Sequence, residues 1–173
     1  MDDVQVLALF HTLDRLPGPD HLEFPDGFDH ASAASRATRL SDRLGEDVGQ
    51  PCDLAEAQDA GYCFSIGVPG EATEAGVPLG VRLSNYGCLA VVTTPAPDSH
   101  DDLAHAVRDG ALSGADRSRI EAALSDLGYT LVPQRLLHQR YDGVTRLTDE
   151  DTFIAYPAHQ DRATWWTRFF EHL

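Results

Sequence analysis

Residues 79–94, LGVRLSNYGCLAVVTT, limit the fold of this chain more than any other stretch. Leu79, Val81 and Leu83 alternate with Gly80, Arg82 and Ser84, the period-two pattern of a half-buried strand. Residues 88–92 are apolar throughout, which predicts a strand covered on both faces. Between the two runs, Asn85-Tyr86-Gly87 supplies residues that tolerate the positive φ of tight hairpins. A three-residue loop with Gly87 left-handed sets Leu83 opposite Leu89 and Val81 opposite Val91. A two-residue loop sets Leu83 opposite Ala90 instead. The apolar match favours the first register, because a slip of one residue turns a core face to water. Arg82 falls on the other face of the hairpin. It either snorkels at an edge or pairs with a carboxylate, and it is a candidate binding residue.

The flanking segments extend the hairpin into a meander. Residues 51–56 read as a short edge strand with Pro51 at its start. Tyr62, Phe64, Ile66 and Val68 alternate onto one face of a further strand. Residues 3–15 fit either a helix face (Val6, Leu9, Phe10, Leu13) or a strand. The Pro17-Gly18-Pro19 stop and the early Asp2 and Asp3 favour the helix. Ala33, Ala37, Leu40 and Leu44 form the inner stripe of a helix over 30–44, capped by Asp29 or Ser32 and stopped at Gly45. Residues 100–109 suit a short helix. Ile120, Ala123, Leu124 and Leu127 share a face over 114–127, with Ser113 or Asp116 as cap and Gly128 as stop. Residues 129–132 read as a strand, continued after Pro133 over 135–139, and 152–156 as a last short strand. Near the end, Trp165, Trp166, Phe169, Phe170 and Leu173 gather on one side of a helix, a face that closes the core or docks a partner. The expected architecture is a single α+β domain over 1–173: an antiparallel meander centred on the 79–94 hairpin, with helices packed mainly on one face.

Charge narrows the function classes. The chain carries 28 Asp and Glu against 13 basic residues, every one an Arg, for a net charge of −15. Nucleic acid and anionic membranes need a basic footprint, so neither is expected as a partner. A cationic protein would be steered toward this surface; acidity also serves solubility or salt adaptation. No apolar run reaches the ~18 residues of a membrane helix, and the start Met-Asp-Asp-Val lacks a signal-peptide pattern. The expected address is the cytoplasm.

Chemical motifs are scarce. The chain has no P-loop, no G-x-G-x-x-G, no H-E-x-x-H and no G-x-S-x-G. Cys52, Cys63 and Cys88 are widely spaced, without C-x-x-C, and read as free, buried small hydrophobes. His100 and His105 would lie about 140° apart on a helix, away from the spacing of a metal pair. His159 and Asp161 stand close in sequence, but no nucleophile accompanies them. Asp98, Asp101 and Asp102 suit a helix start. Asp149-Glu150-Asp151 has no such role in a loop. It is either a solvated loop or a contact for a cationic partner, and it joins Arg82 as a candidate binding site. No catalytic residue, metal or cofactor is assigned.

Several of these motifs together carry a resemblance: Gln58-Asp59-Ala60, Val81-Arg82-Leu83-Ser84-Asn85-Tyr86-Gly87 with Leu89-Ala90-Val91-Val92, Tyr141-Asp142-Gly143, and Thr164-Trp165-Trp166 with Arg168-Phe169-Phe170. Over roughly residues 52–173 the chain resembles a group of small, acidic, uncharacterised actinobacterial proteins. In size and acidity it is also similar to immunity proteins of bacterial toxin systems. The resemblance implies a non-enzymatic, acidic protein-binding domain that occludes a cationic partner. The alternative is a small enzyme or ligand-binding domain with a pocket beside the sheet. That alternative requires convergent polar groups in a cavity.

Overall fold

In the computed structural model, which describes residues 1–18, 23–57, 61–95, 100, 102–147 and 163–171, the sheet is built outward from the hairpin. Strands β3 (Leu79–Ser84) and β4 (Leu89–Thr93) pair antiparallel. β2 (Tyr62–Val68) pairs with β3, and the exposed β1 (Asp53–Glu56) pairs with β2 at the edge. β5 (Thr130–Leu131) joins the other side of β4 in parallel, giving the order β1-β2-β3-β4-β5. The fold is therefore α+β with a mostly antiparallel sheet. The parallel step follows from chain length: β4 and β5 are joined through helices α3 (Leu103–Arg108) and α4 (Gly114–Asp126). A helical crossover of that length is how parallel neighbours are connected.

The hairpin register differs from the apolar-match expectation. Leu83 faces Ala90 and Val81 faces Val92. The match failed as a criterion because both faces of the sheet are covered, so either register buries its apolar residues. Leu83, Val81, Ala90 and Val92 line one core, whereas Leu89 and Val91 line another. The turn has also moved. Leu89 N donates to Tyr86 O at 3.2 Å, and the two central residues, Gly87 and Cys88, have φ of 60° and 54°. Two positive φ values mark a primed hairpin turn. Asn85 and Tyr86 are not its tip. Asn85 N bonds Gly61 O, its side-chain amide donates to Glu23 O at 2.7 Å, and Tyr86 is buried.

Helices cover both faces, which corrects the expectation of packing mainly on one. α2 (His30–Val48), α3 and α4 close the first core with Ala37, Leu40, Leu44, Ala106, Ile120, Ala123 and Leu124. α1 (Asp3–Asp14), α5 (Gln134–Leu137) and α6 (Trp165–Phe170) close the second with Val6, Phe10, Leu136, Leu137, Trp165, Phe169 and Phe170. The apolar run 89–92 of β4 is the local cause: with residues of both parities apolar, each face needs a lid. β2 contributes to both cores through a bulge. The register shifts between Tyr62 and Phe64, so Phe64, Ile66 and Val68 face the first core and Tyr62 the second.

The helix starts follow the expected chemistry. Asp2 and Gln5 form a capping box on α1. Asp29 caps α2, and Ser113 caps α4 through Asp116 N. α2 runs past Gly45 to Val48 and stops at left-handed Gly49. Residues 134–137 form the helical turn α5 where a strand continuation was expected. Asp149, Glu150 and Asp151, the expected strand at 152–156, and His159 with Asp161 lie outside the described residues. Among the described residues, no helix is long and apolar enough to cross a membrane.

Candidate functional site

The carboxyl ends of β4 and β5 open into a cleft of about 420 Å³. Parallel strands end their ladder together, and the chain leaves each for a helix, so the space beyond them is not filled by the sheet. Val92 and Thr94 line it from the end of β4, and Leu131, Val132 and Gln134 from the end of β5 and the start of α5. α3 supplies Leu103, Ala104 and Ala106, and α4 supplies Arg117 and Glu121. Met1 and Pro133 complete the lining, which mixes these apolar residues with the polar Thr94, His100, Asp102, Arg117, Glu121 and Gln134.

Each polar group is held by a local bond. Asp102 Oδ1 accepts His105 N at 2.8 Å, capping α3. Its Oδ2 lies 3.8 Å from Arg135 Nε. Arg135 itself grips Asp3 with both terminal nitrogens, at 2.7 and 2.5 Å. Arg117 Nε donates to Glu121 Oε1 at 2.8 Å, one turn along α4. Thr94 Oγ1 and His100 Nδ1 are 3.1 Å apart.

Behind His100 stands a second imidazole. His100 and His105 meet edge to face, with ring centroids 5.6 Å apart, and both Nε2 atoms approach Asp109 Oδ2, at 3.7 and 3.3 Å. The helical-spacing argument did not foresee this, because α3 begins at Leu103 and His100 precedes it. Thr94, His100 and Asp109 stand in series like hydroxyl, base and orienter. The 3.7 Å step is longer than a hydrogen bond, and Asp109 is half exposed. No group of three or more His, Cys, Asp or Glu side chains among the described residues is arranged to hold a metal ion.

A smaller cavity of about 130 Å³ lies beside the hairpin tip, lined in part by Arg36, Asn85, Cys88 and Tyr129. Cys88 is free but half-buried, not fully buried as expected, and Arg36 Nη1 donates to its Sγ at 2.8 Å, with the guanidinium 5.4 Å from the centre of the Tyr129 ring. Burial pushes the Tyr129 hydroxyl up to about 12, against the opposing pull of Arg36. Burial likewise raises the Cys52 and Cys63 thiols.

Arg82 sits elsewhere. Its guanidinium lies between the rings of Tyr62 and Trp166, at 5.0 and 5.3 Å from their centres. The charge is held by aromatic faces, and no carboxylate within salt-bridge distance accompanies it among the described residues. The sequence motifs therefore pointed away from the cleft. Its one legible signal was the strand–helix–helix–strand order from residue 89 to residue 132, which implies a parallel pair and a shared strand end.

No match to this chain is found among protein-family models, curated proteins or solved structures.

Proposed function

We propose that this chain is a binding domain for a small organic molecule, held in the cleft at the ends of β4 and β5. One observation carries the reading: a cavity of about 420 Å³ whose lining mixes apolar residues with polar groups from the end of β4, the start of α3 and α4. Ligand sites combine an apolar lining with a few placed polar groups in volumes of about 300–1,000 Å³. The reading needs no catalytic step. Protein-observed NMR with a fragment library tests it. Binding is expected to shift the amides of Leu103, Ala104 and Val132 together. Ala104→Trp, which fills the cleft from its half-buried wall, is expected to abolish those shifts without unfolding the chain. A library that shifts no cleft amide would sink the reading.

A second reading rests on the net charge of −15 and on exposed Asp42, Glu46, Asp53 and Glu56 along α2 and the edge strand β1. In this reading the protein is cytoplasmic and blocks a cationic protein in the manner of an immunity protein. Asp149, Glu150, Asp151 and Arg82 are then contact residues, and nucleic acid is not a ligand. Association with such a partner would slow steeply as salt rises. A salt-independent association rate would exclude electrostatic steering.

A further inference from the structure

The outer side of β1 is an open hydrogen-bonding edge. β1 ends the sheet, with β2 as its strand neighbour, and all four of its residues are exposed. Ala57 N donates to Cys63 O at 2.7 Å. In an antiparallel ladder, alternate residues point their backbone groups to the same side. Ala55 and Asp53 therefore also bond inward to β2, whereas Leu54 and Glu56 aim their N–H and C=O groups away from it. Cys52 shares the outward parity, and its carbonyl accepts the Ser41 hydroxyl of α2 at 3.4 Å. No hydrogen bond among the described residues reaches the Leu54 or Glu56 backbone from the open side. Natural edges are blunted by bulges, by Pro, by a covering element or by charge. The register of β1 on β2 is unbroken, and Pro51 precedes the strand.

Charge guards this edge, and it selects what can pair there. Asp53 and Glu56 are three residues apart, hence on opposite faces of the strand. Exposed Asp42 follows Ser41 on the flank of α2. Glu56 Oε1 lies 2.9 Å from Nε2 of the exposed His30. A second copy pairing edge to edge would bring Asp53 and Glu56 of both strands together, between two molecules of net charge −15 each. Like charges across a strand pair are destabilising, so self-pairing is disfavoured. A basic strand meets the opposite condition. Basic residues three apart place one beside Asp53 on one face and one beside Glu56 on the other. An apolar residue between them covers Leu54, which is 38% exposed.

We propose that β1 takes up an extended basic segment of a partner protein as a sixth strand, with cationic side chains three residues apart. This rests on the reading of the chain as a binder of a cationic protein. The backbones of Leu54 and Glu56 supply the hydrogen bonds of strand addition, and Asp53 and Glu56 set the charge of the added strand.

Three acetylated and amidated peptides test it by NMR titration and amide hydrogen exchange: VKTVKTV, VETVETV, and VKTVKTV with both lysine amides N-methylated. The lysine peptide is expected to slow exchange at Leu54 and Glu56 and to leave Ala55 and Ala57, already bonded to β2, unchanged. The glutamate peptide should not bind. The N-methylated peptide keeps its charge but is blocked on both strand edges, and should bind at least about tenfold more weakly. Leu54→Pro removes a donor that β2 does not use, so it should keep the sheet and weaken the lysine peptide at least about tenfold. Asp53→Asn combined with Glu56→Gln keeps the shape, and should weaken binding and flatten its salt dependence. Equal binding of the lysine peptide and its N-methylated form would overturn strand addition and leave the charge reading standing. A glutamate peptide that binds as tightly as the lysine one would sink both. A protein that is dimeric without peptide, with Leu54 and Glu56 already protected, would assign the edge to a second copy. Binding by none of the three would also overturn the proposal, and the salt dependence of whole-protein association would then decide the charge reading by itself.

Discussion

At the residue scale, the strongest single commitment is the pair Asp14 and Arg168, both buried. Arg168 Nε donates to Asp14 Oδ1 at 2.7 Å. Tyr141 Oη and Val144 N donate to Oδ2 at 2.7 and 2.6 Å, and Thr145 Oγ1 to Oδ1 at 2.8 Å. The Arg168 guanidinium stacks 4.2 Å from the centre of the Tyr86 ring, but its buried Nη1 has no hydrogen-bond partner among the described residues. The two charges are thus unequally served: the carboxylate has several donors, the guanidinium one acceptor. Asp14→Asn strands a buried cation and should cost about 3–5 kcal/mol in urea unfolding. Arg168→Met should cost less, since Asp14 keeps its other donors. The reverse order would refute this account. Gly87 makes a second residue-level case. A Cβ there would stand 2.5 and 2.6 Å from the Leu13 methyls, at a φ of 60°. Gly87→Ala should lose about 1–3 kcal/mol from crowding and backbone strain. Leu13→Ala in the same chain should recover the crowding share, seen as a coupling energy in a double-mutant cycle.

At the element scale, α6 is the lid of the second core. Trp165 stacks on Phe169 with centroids 5.7 Å apart and meets Phe10 at 5.5 Å and Tyr141 at 4.8 Å. Trp165→Ala should cost about 3–5 kcal/mol and remove most of the near-UV circular dichroism signal. Removing residues from 164 onward should expose the sheet. An unchanged melting temperature in either variant would mean the lid is dispensable. This helix was legible as an apolar arc, as were the caps of α1, α2 and α4, because each depends on neighbours three or four residues apart. What depended on distant partners was not legible. The register of Leu83 against Ala90 turned on whether one face or two were covered. The switch of Tyr62 to the second core needed a bulge that alternation conceals. The meeting of His100 with His105 needed the true start of α3. The cleft needed β5 to lie parallel to β4, a pairing set by crossover length and not by any motif. Asp102 was read as a helix-start charge, which it is, but the cavity it lines is one that local spacing cannot reveal.

At the scale of the whole molecule, pH and salt act on the same excess of carboxylates. Burial alone would raise the Asp14 carboxyl; the bonds from Arg168, Tyr141, Val144 and Thr145 outweigh it and hold it below the usual range. Bonding to Arg135 lowers Asp3, and bonding to Ser32 lowers Asp29. A carboxyl lowered in the folded state stabilises fully above its unfolded pKa and loses that contribution as pH falls through the folded value. Tyr141 runs the other way. Burial, then its bond to Asp14, pushes it up to about 12, so its contribution is complete below the ordinary phenol value near 10 and is lost as pH rises toward about 12. Urea midpoints should form a plateau from about pH 5 to about pH 8, above which the raised Cys52 and Cys63 thiols and then Tyr141 lose their contributions, and Asp14→Asn should flatten the acid limb. A maximum at acid pH would contradict this assignment. Salt opposes two effects. It screens exposed pairs such as Arg43–Asp47 and Arg119–Glu74, each worth about 0–1 kcal/mol. It also screens repulsion among carboxylates that outnumber their cations by 15. The repulsion is summed over the whole surface and should win, so the melting temperature should rise as sodium chloride shortens the Debye length toward about 8 Å. A falling melting temperature would show that the local pairs dominate. The expected direction also separates stability from recognition: salt that strengthens the fold while releasing a cationic protein acts on the contact with that protein itself.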